Sequence, residues 1–313
     1  TAPYETQSAC NMDKSAGIGD PRWANLNKGF VRKASNFQNW ISPGTDFPPE
    51  SGRYHLYVNW TCGWCHRVLM VHALKQLDGI VSWSLTDSRR AENIGWTFSS
   101  ENPDLINGAT CVLEVYRKNN PAYPAEQLTV PILFDKKRNV VVNNDNIQIA
   151  FILHYAFRDY APHSLDLYPE PLQDAIESLN LWVYPGINNG VYRVGMGAPE
   201  HRDAAKAELF EALDKMEEML TGAQFLVGNQ LTLADIRAFP HLFRFDTCYF
   251  TAFNCNIRTL ASYPNLSAYV HRIYDYPRIA STCDLYMACL GYHKSNTEAA
   301  LAAYTQHKLE YIS

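Results

Sequence analysis

Two cysteines, in Cys62-Gly63-Trp64-Cys65, stand between a strand-like run, Tyr54-His55-Leu56-Tyr57-Val58, and a helix-like run from His66 to Leu77. That junction limits what the chain can fold into. A thiol at a helix N-terminus faces the positive end of the macrodipole and backbone N–H groups with no partner inside the helix. Both favour the thiolate, the reactive form, so a C-x-x-C in this place reads first as thiol chemistry. The pattern Cys62-x-x-Cys65-His66 also fits covalent haem attachment. The tight strand-to-helix setting and the absence of a visible export signal argue against that. Zinc is not expected either, because a structural site needs four ligands and no second C-x-x-C occurs in the chain.

The elements around the motif read as an α/β unit. Leu69, Met70, Ala73, Leu74 and Leu77 recur at helical spacing, and Val81 to Leu85 alternates as a second strand, a β-α-β start that favours a parallel pair. Residues 87–128 are poorly periodic; a gap that long is usually functional or hides a helix. Leu128 to Phe134 and Val140 to Val142 flank a charged turn and predict a hairpin. Asn144 or Asp145 then caps a helix through Ile147, Ile149, Ala150, Ile152 and Leu153. The order β-α-β, then β-β-α, is that of a thioredoxin-like domain over residues 53–157. Residues 1–52 read as an irregular extension and 158–171, with three prolines, as a linker. An all-helical domain is expected over 172–313, with helices at 172–183, 200–220, 232–246 and 264–275.

Composition bounds the function. At 313 residues, 47% hydrophobic and 19% charged, the chain suits two ordinary globular domains. Its formal charge of −5 offers no basic footprint, so nucleic acid is not an expected partner. No apolar run approaches the roughly 20 residues that cross a bilayer. The polar stretch Thr1 to Gly19 lacks a signal-peptide core, and a start at Thr rather than Met reads as processed or trimmed. Eight cysteines in a chain this long do not imply a disulfide framework, and a reducing cytoplasm is the expected setting.

A conjunction of short motifs makes the reading specific. Gly29-Phe30-Val31-Arg32, Ser35-Asn36-Phe37 and Gly52-Arg53-Tyr54-His55-Leu56-Tyr57 lead into Cys62-x-Trp64-x-His66-Arg67. Gly95-Trp96-Thr97-Phe98, Thr129-Val130-Pro131 and Val142-Asn143-Asn144-Asp145 follow, then Asn188-Asn189-Gly190-Val191-Tyr192, Leu231-Thr232-x-Ala234-Asp235-Ile236-Arg237 and Arg244-Phe245-Asp246. Over about residues 29–275 the sequence resembles the glutathionyl-hydroquinone reductases, the Xi class of glutathione transferases. The resemblance implies a thioredoxin-like glutathione-binding domain, a helical domain and a homodimer. Glutathione, or a related thiol, would be the co-substrate, with no metal; small-molecule thiols, quinols and mixed disulfides would be the partners.

Carried over residue by residue, Cys62 takes the position of the reactive thiol. Its thiolate would attack the sulfur of a glutathionyl-quinol and leave a Cys62–glutathione mixed disulfide for a second thiol to resolve. Cys65 departs from the family, which has a small non-thiol residue there, and is a candidate internal resolving thiol or simply a small buried residue. Gly63 stands where the family has Pro. Pro131 is expected to be cis, with Val130 exchanging backbone hydrogen bonds with glutathione. Asp145 and Asn146, in place of Glu-Ser, would hold its γ-glutamyl end, with plain helix capping compatible with that role. Trp96 would pack on glutathione, and Arg67 would supply charge near the thiolate. Tyr192 and Tyr249 would line the quinol site, joined by Tyr292 or Tyr286 from a C-terminal stretch that departs from the family after 276. Two other readings stay open: a dithiol oxidoreductase using Cys62 and Cys65 with another thiol donor, and a non-enzymatic binding module.

Overall fold

The computed structural model describes residues 35–91, 94–125, 128–161, 164–293 and 296–307. The motif Gly29 to Arg32 and most of the expected extension lie outside the described residues. Two compact units emerge. Among the described residues one joins 35–166 with the segment that begins at Tyr274; the other runs from Leu167 to Ile273.

The first unit is built on a four-stranded sheet in the order β2-β1-β3-β4. Strand β1 (Tyr54–Val58) is buried at every residue, as a central strand covered on both faces must be. It runs parallel to β2 (Ser82–Leu85) and antiparallel to β3 (Ile132–Asp135), which pairs with β4 (Val140–Asn143). Helix α1 (Gly63–Leu74) joins the parallel pair, and all twelve of its residues are buried. It ends where Gln76 takes a left-handed φ of 55°. The unpatterned stretch 87–128 does hide a helix, α2 (Val112–Arg117). Its sequence gave no sign because only Val112, Val115 and Tyr116 are buried, too short a stripe for periodicity. Helix α3 (Asn146–Ala156) packs on α1. The end of the expected extension is not loose: Gln38 bridges Asn143, and Asn39 N–H donates to the Val142 carbonyl at 3.1 Å. This covers the β4 edge, which would otherwise expose unpaired backbone groups.

The second unit is helical. Helices α4 (Gln173–Val183), α5 (Gly190–Met196), α6 (Arg202–Met219), α7 (Leu233–Phe243) and α8 (Pro264–Tyr274) make it up. Helix α6 buries Ala205, Leu209, Ala212, Leu213 and Met216, one stripe at helical spacing. Helix α7 is buried on all sides and opens on a capping box: Thr232 Oγ1 accepts from Ala234 N–H, and Asp235 accepts from Thr232 N–H. It stops at Phe243, short of the expected 246, because a π-helical turn takes over at Phe245–Tyr249; a second such turn, Tyr184–Asn188, precedes α5.

The C-terminal segment corrects the expected boundary. Helices α9 (Leu285–Tyr292) and α10 (Thr297–His307) belong with the sheet unit, not with the helical domain drawn over 172–313. Gly291 is the reason α9 fits so closely. A Cβ there would overlap the Thr61 side chain and come within 2.6 Å of the Ser88 carbonyl oxygen. Such packing depends on a partner 226 residues away for the Thr61–Met287 contact, and no local pattern encodes it.

Candidate active site

The loop that delivers Cys62 is fixed by side-chain to backbone hydrogen bonds. Buried Asn59 donates to Thr86 Oγ1 and to the Asp87 carbonyl, both at 2.7 Å, and accepts from Thr61 N–H at 2.8 Å. Thr61 Oγ1 donates to the Ser88 carbonyl at 2.7 Å. The segment before the cysteine is thereby tied to the end of β2. Cys62 is the N-cap of α1: its backbone is extended, with φ −82° and ψ 108°, and its Sγ accepts from Cys65 N–H at 3.4 Å. This N–H and the helix N-terminus both favour a negative sulfur. Sγ also lies 3.5 Å from the Val130 carbonyl oxygen, to which a protonated thiol donates.

Val130 is held there by a buried network. The Val130–Pro131 peptide bond is cis. Tyr116 Oη donates to the Thr129 carbonyl at 2.9 Å. Asn144 Nδ2 donates to Tyr116 Oη at 3.0 Å, while its Oδ1 accepts from Phe37 N–H at 3.1 Å. Burial pushes the Tyr116 phenol up, with hydrogen bonds from its Thr129 and Asn144 partners opposing, and it stays a neutral donor. Sequence reasoning did not single out Tyr116, which sits on the concealed helix α2, and took Asn144 only for a helix cap.

Of the residues assigned from the resemblance, Cys62, Val130 and Pro131 come together. Asp145 caps α3, its Oδ1 accepting from Ile147 and Gln148 N–H at 2.9 and 3.0 Å, and it stays half-buried. Asn146 Oδ1 accepts from Arg67 Nη1 at 3.2 Å. Arg67, expected to supply charge near the thiolate, is a buried side chain. It is 1% exposed, and its guanidinium carbon lies 4.5 Å from the centre of the Trp64 ring. It thus links α1 to α3 from inside, where stacking and a hydrogen bond offset part of its desolvation. Trp96 is half-buried on a loop clamped by Val112 N–H, which donates to its carbonyl at 2.9 Å. Cys65 is fully buried, and no disulfide joins it to Cys62.

In the helical unit Tyr192 and Tyr249 are neighbours, ring centroids 6.0 Å apart, in a cluster with His241 and Phe253. Tyr249 is fully buried and Tyr192 nearly so. Tyr249 ends one π-helical turn and Tyr192 follows the other by about one turn of α5; such turns are common at functional sites. Tyr292, half-buried at the end of α9, belongs to the other unit, as does Tyr286, whose ring packs on Tyr304. Among the described residues no group of three or more His, Cys, Asp or Glu side chains is placed to hold a metal ion, and no helix is long and apolar enough to cross a membrane.

Removing the Asn144 side chain tests the network. Asn144→Ala leaves Phe37 N–H without this acceptor and removes the amide that donates to Tyr116. It should cost about 1–3 kcal/mol in denaturant unfolding and slow alkylation of Cys62 by iodoacetamide. An unchanged midpoint and alkylation rate would contradict this role.

Comparison with known proteins gives one answer. Residues 199–272 match the family model of the glutathione S-transferase C-terminal domain. The glutathionyl-hydroquinone reductase PcpF of Sphingobium chlorophenolicum is 42% identical over 85% of this chain and 85% of its own length. YqjG, the glutathionyl-hydroquinone reductase of Escherichia coli, is 38% identical over 81% of this chain and 80% of its own. The crystal structure of the glutathione transferase Xi of Phanerochaete chrysosporium superposes with a TM-score of 0.82 at 40% identity, covering 88% of this chain and 95% of that one. The glutathione-bound structure of YqjG gives 0.79 at 35% identity, over 87% and 92%. With a thiol at the N-cap of α1, a cis-proline strand beside it and likeness of this extent to both sets of proteins, the chain belongs to the glutathionyl-hydroquinone reductases, the Xi class of glutathione transferases.

Proposed function

We propose that the protein reduces glutathionyl-hydroquinones with glutathione through Cys62. The observation that carries this reading is the Cys62 sulfur at the N-cap of α1, with Cys65 N–H donating to it and the Val130 carbonyl beside it. On ionisation the Cys65 N–H remains on the sulfur, and the Val130 carbonyl becomes available to an amide N–H of an extended thiol substrate. Cys62 thiolate attacks the sulfur of the substrate and the carbon–sulfur bond to the ring breaks. The ring carbon keeps the electron pair and takes a proton, and a Cys62–glutathione disulfide forms. Glutathione thiolate then attacks that disulfide, releasing glutathione disulfide and restoring the Cys62 thiolate. Half-buried Asp145 and Asn146, at the start of α3, are our candidates for the γ-glutamyl end, with Trp96 against the tripeptide. Tyr192, Tyr249 and Tyr292 are those for the quinol. A homodimer, as the resemblance implies, and the reducing cytoplasm expected from the cysteine usage complete this reading.

Complete burial of Cys65 supports resolution by a second glutathione rather than by an internal thiol. Incubation with glutathionyl-menadione followed by intact-protein and peptide mass spectrometry tests both points. The expected product is a single glutathione on Cys62, removed by added glutathione and still formed in Cys65→Ser. A Cys62–Cys65 disulfide would favour the dithiol route, and a folded protein with no adduct would favour a binding module.

A further inference from the structure

Of the seven described cysteines five are buried; only Cys62 and Cys283 are half-buried. Cys283 sits in the first unit, after a 3-10 turn (Ala280–Thr282) and just before α9. Its Sγ is 3.5 Å from Nε2 of His66, the residue one turn of α1 beyond Cys62. Thr282 Oγ1 lies 3.1 Å from the same nitrogen. In either tautomer the Nε2 end of the ring favours a negative sulfur: as N–H it donates to Sγ, and as a bare nitrogen it takes the thiol proton. Protonation of the ring strengthens the effect.

Three further groups lie near the sulfur. The Ile279 carbonyl, 3.4 Å from Sγ, accepts from the protonated thiol and opposes ionisation. The Tyr274 phenol is raised, chiefly by burial and further by the Cys283 charge, and stays neutral. Adjacent Asp284 is committed to α9, accepting from Met287 N–H at 2.9 Å. His66, in direct contact with the sulfur, favours the Cys283 thiolate, and partial exposure leaves the residue open to a small disulfide.

We propose that Cys283, paired with His66, is a second reactive thiol of this protein and a site of modification by glutathione disulfide. The Cys283 thiolate attacks one sulfur of glutathione disulfide, the sulfur–sulfur bond breaks, and glutathione thiolate leaves with the electron pair. Cys283 is oxidised to the mixed disulfide, and half of the glutathione disulfide is reduced. This site goes beyond the turnover assigned to Cys62 and does not depend on it.

The test uses the full chain carrying Cys62→Ser, so that it stands whether or not Cys62 performs the reaction above. After incubation with glutathione disulfide near neutral pH, peptide mapping should find glutathione on Cys283. Iodoacetamide alkylation of Cys283 should follow a pH midpoint below the free-thiol value of about 8.5. His66→Leu should move that midpoint up toward the free value. It should also slow the reaction at neutral pH by about threefold or more, since a lower pKa raises the thiolate fraction tenfold per unit but gives back about half of the logarithm in nucleophilicity. If His66→Leu fails to fold by circular dichroism, His66→Gln serves instead, because its amide takes no proton from the thiol and should raise the midpoint. In the otherwise intact protein, Cys283→Ser should leave formation of the Cys62 adduct unchanged. Cys283 unmodified by glutathione disulfide, or reacting with a free-thiol midpoint that neither variant moves, would overturn the proposal.

Discussion

Cys62→Ser lowers kcat/KM toward a glutathionyl-hydroquinone by on the order of 10³-fold or more, while the protein keeps its stability. The two halves of this expectation have separate causes. A hydroxyl has almost no alkoxide at neutral pH and forms no disulfide, so the covalent route closes; a 10³-fold loss corresponds to about 4 kcal/mol of transition-state stabilisation. Serine is also a preferred N-cap, and its oxygen can accept from Cys65 N–H as the sulfur does at 3.4 Å. Steady-state kinetics alongside denaturant unfolding measure both. A variant retaining activity within tenfold would remove Cys62 from the chemistry, whereas lost activity together with a collapsed midpoint would mean that the thiol serves the fold.

The largest expected stability effect lies in the helical unit, far from that chemistry in sequence. Asp235 is fully buried and accepts four hydrogen bonds, from Leu226 N–H and Tyr269 Oη at 2.9 and 3.0 Å and from Thr232 N–H and Oγ1 at 2.9 and 3.2 Å. Asp235→Ala strands these donors in the interior and should cost on the order of 3–5 kcal/mol, a large fraction of the 5–15 kcal/mol that a domain has. Burial raises the Asp235 carboxyl to about 6, although each of its four donors works against the shift. The sign follows from linkage. Between the unfolded value near 4 and the folded value near 6 the folded state holds the extra proton, so this group's contribution is full below pH 4 and is lost as pH rises to about 6. The slope reaches at most about 1.4 kcal/mol per pH unit. Urea titrations at several pH values in that window should show this loss in the parent and not in Asp235→Asn, which cannot titrate. An Asp235→Ala protein as stable as the parent would refute the network's importance.

Much of this architecture was legible from local patterns. The junction at Cys62 announced a strand, an N-cap and a helix, and the hairpin and α3 were marked by turn residues and a cap. Tyr116 and Asn144 were illegible as a pair because their partnership spans 28 residues and runs through a helix too short to show a period. The burial of Arg67 was not legible, since an arginine in sequence gives no hint that a tryptophan three residues earlier will stack with it. The π-helical turns beside Tyr192 and Tyr249 insert an extra residue in a helical run, which periodicity counts as noise. The assignment of 274–313 failed for a different reason. Helical spacing reveals that a segment is a helix, but not which surface it covers.

That last segment has a consequence for how the protein is made. The Cys62 loop lies against α9 through Thr61, Met287 and Gly291, so the sheet unit is discontinuous along the chain. As synthesis proceeds, the four strands can pair and α1 can dock well before the residues that finish the surface beside the thiol exist. Through that interval the loop lacks its cover, and closing a contact across more than two hundred residues is the kind of late, entropically costly step that sets folding rates. Cys62 therefore acquires its final surroundings among the last events of folding, after the whole helical unit has been synthesised.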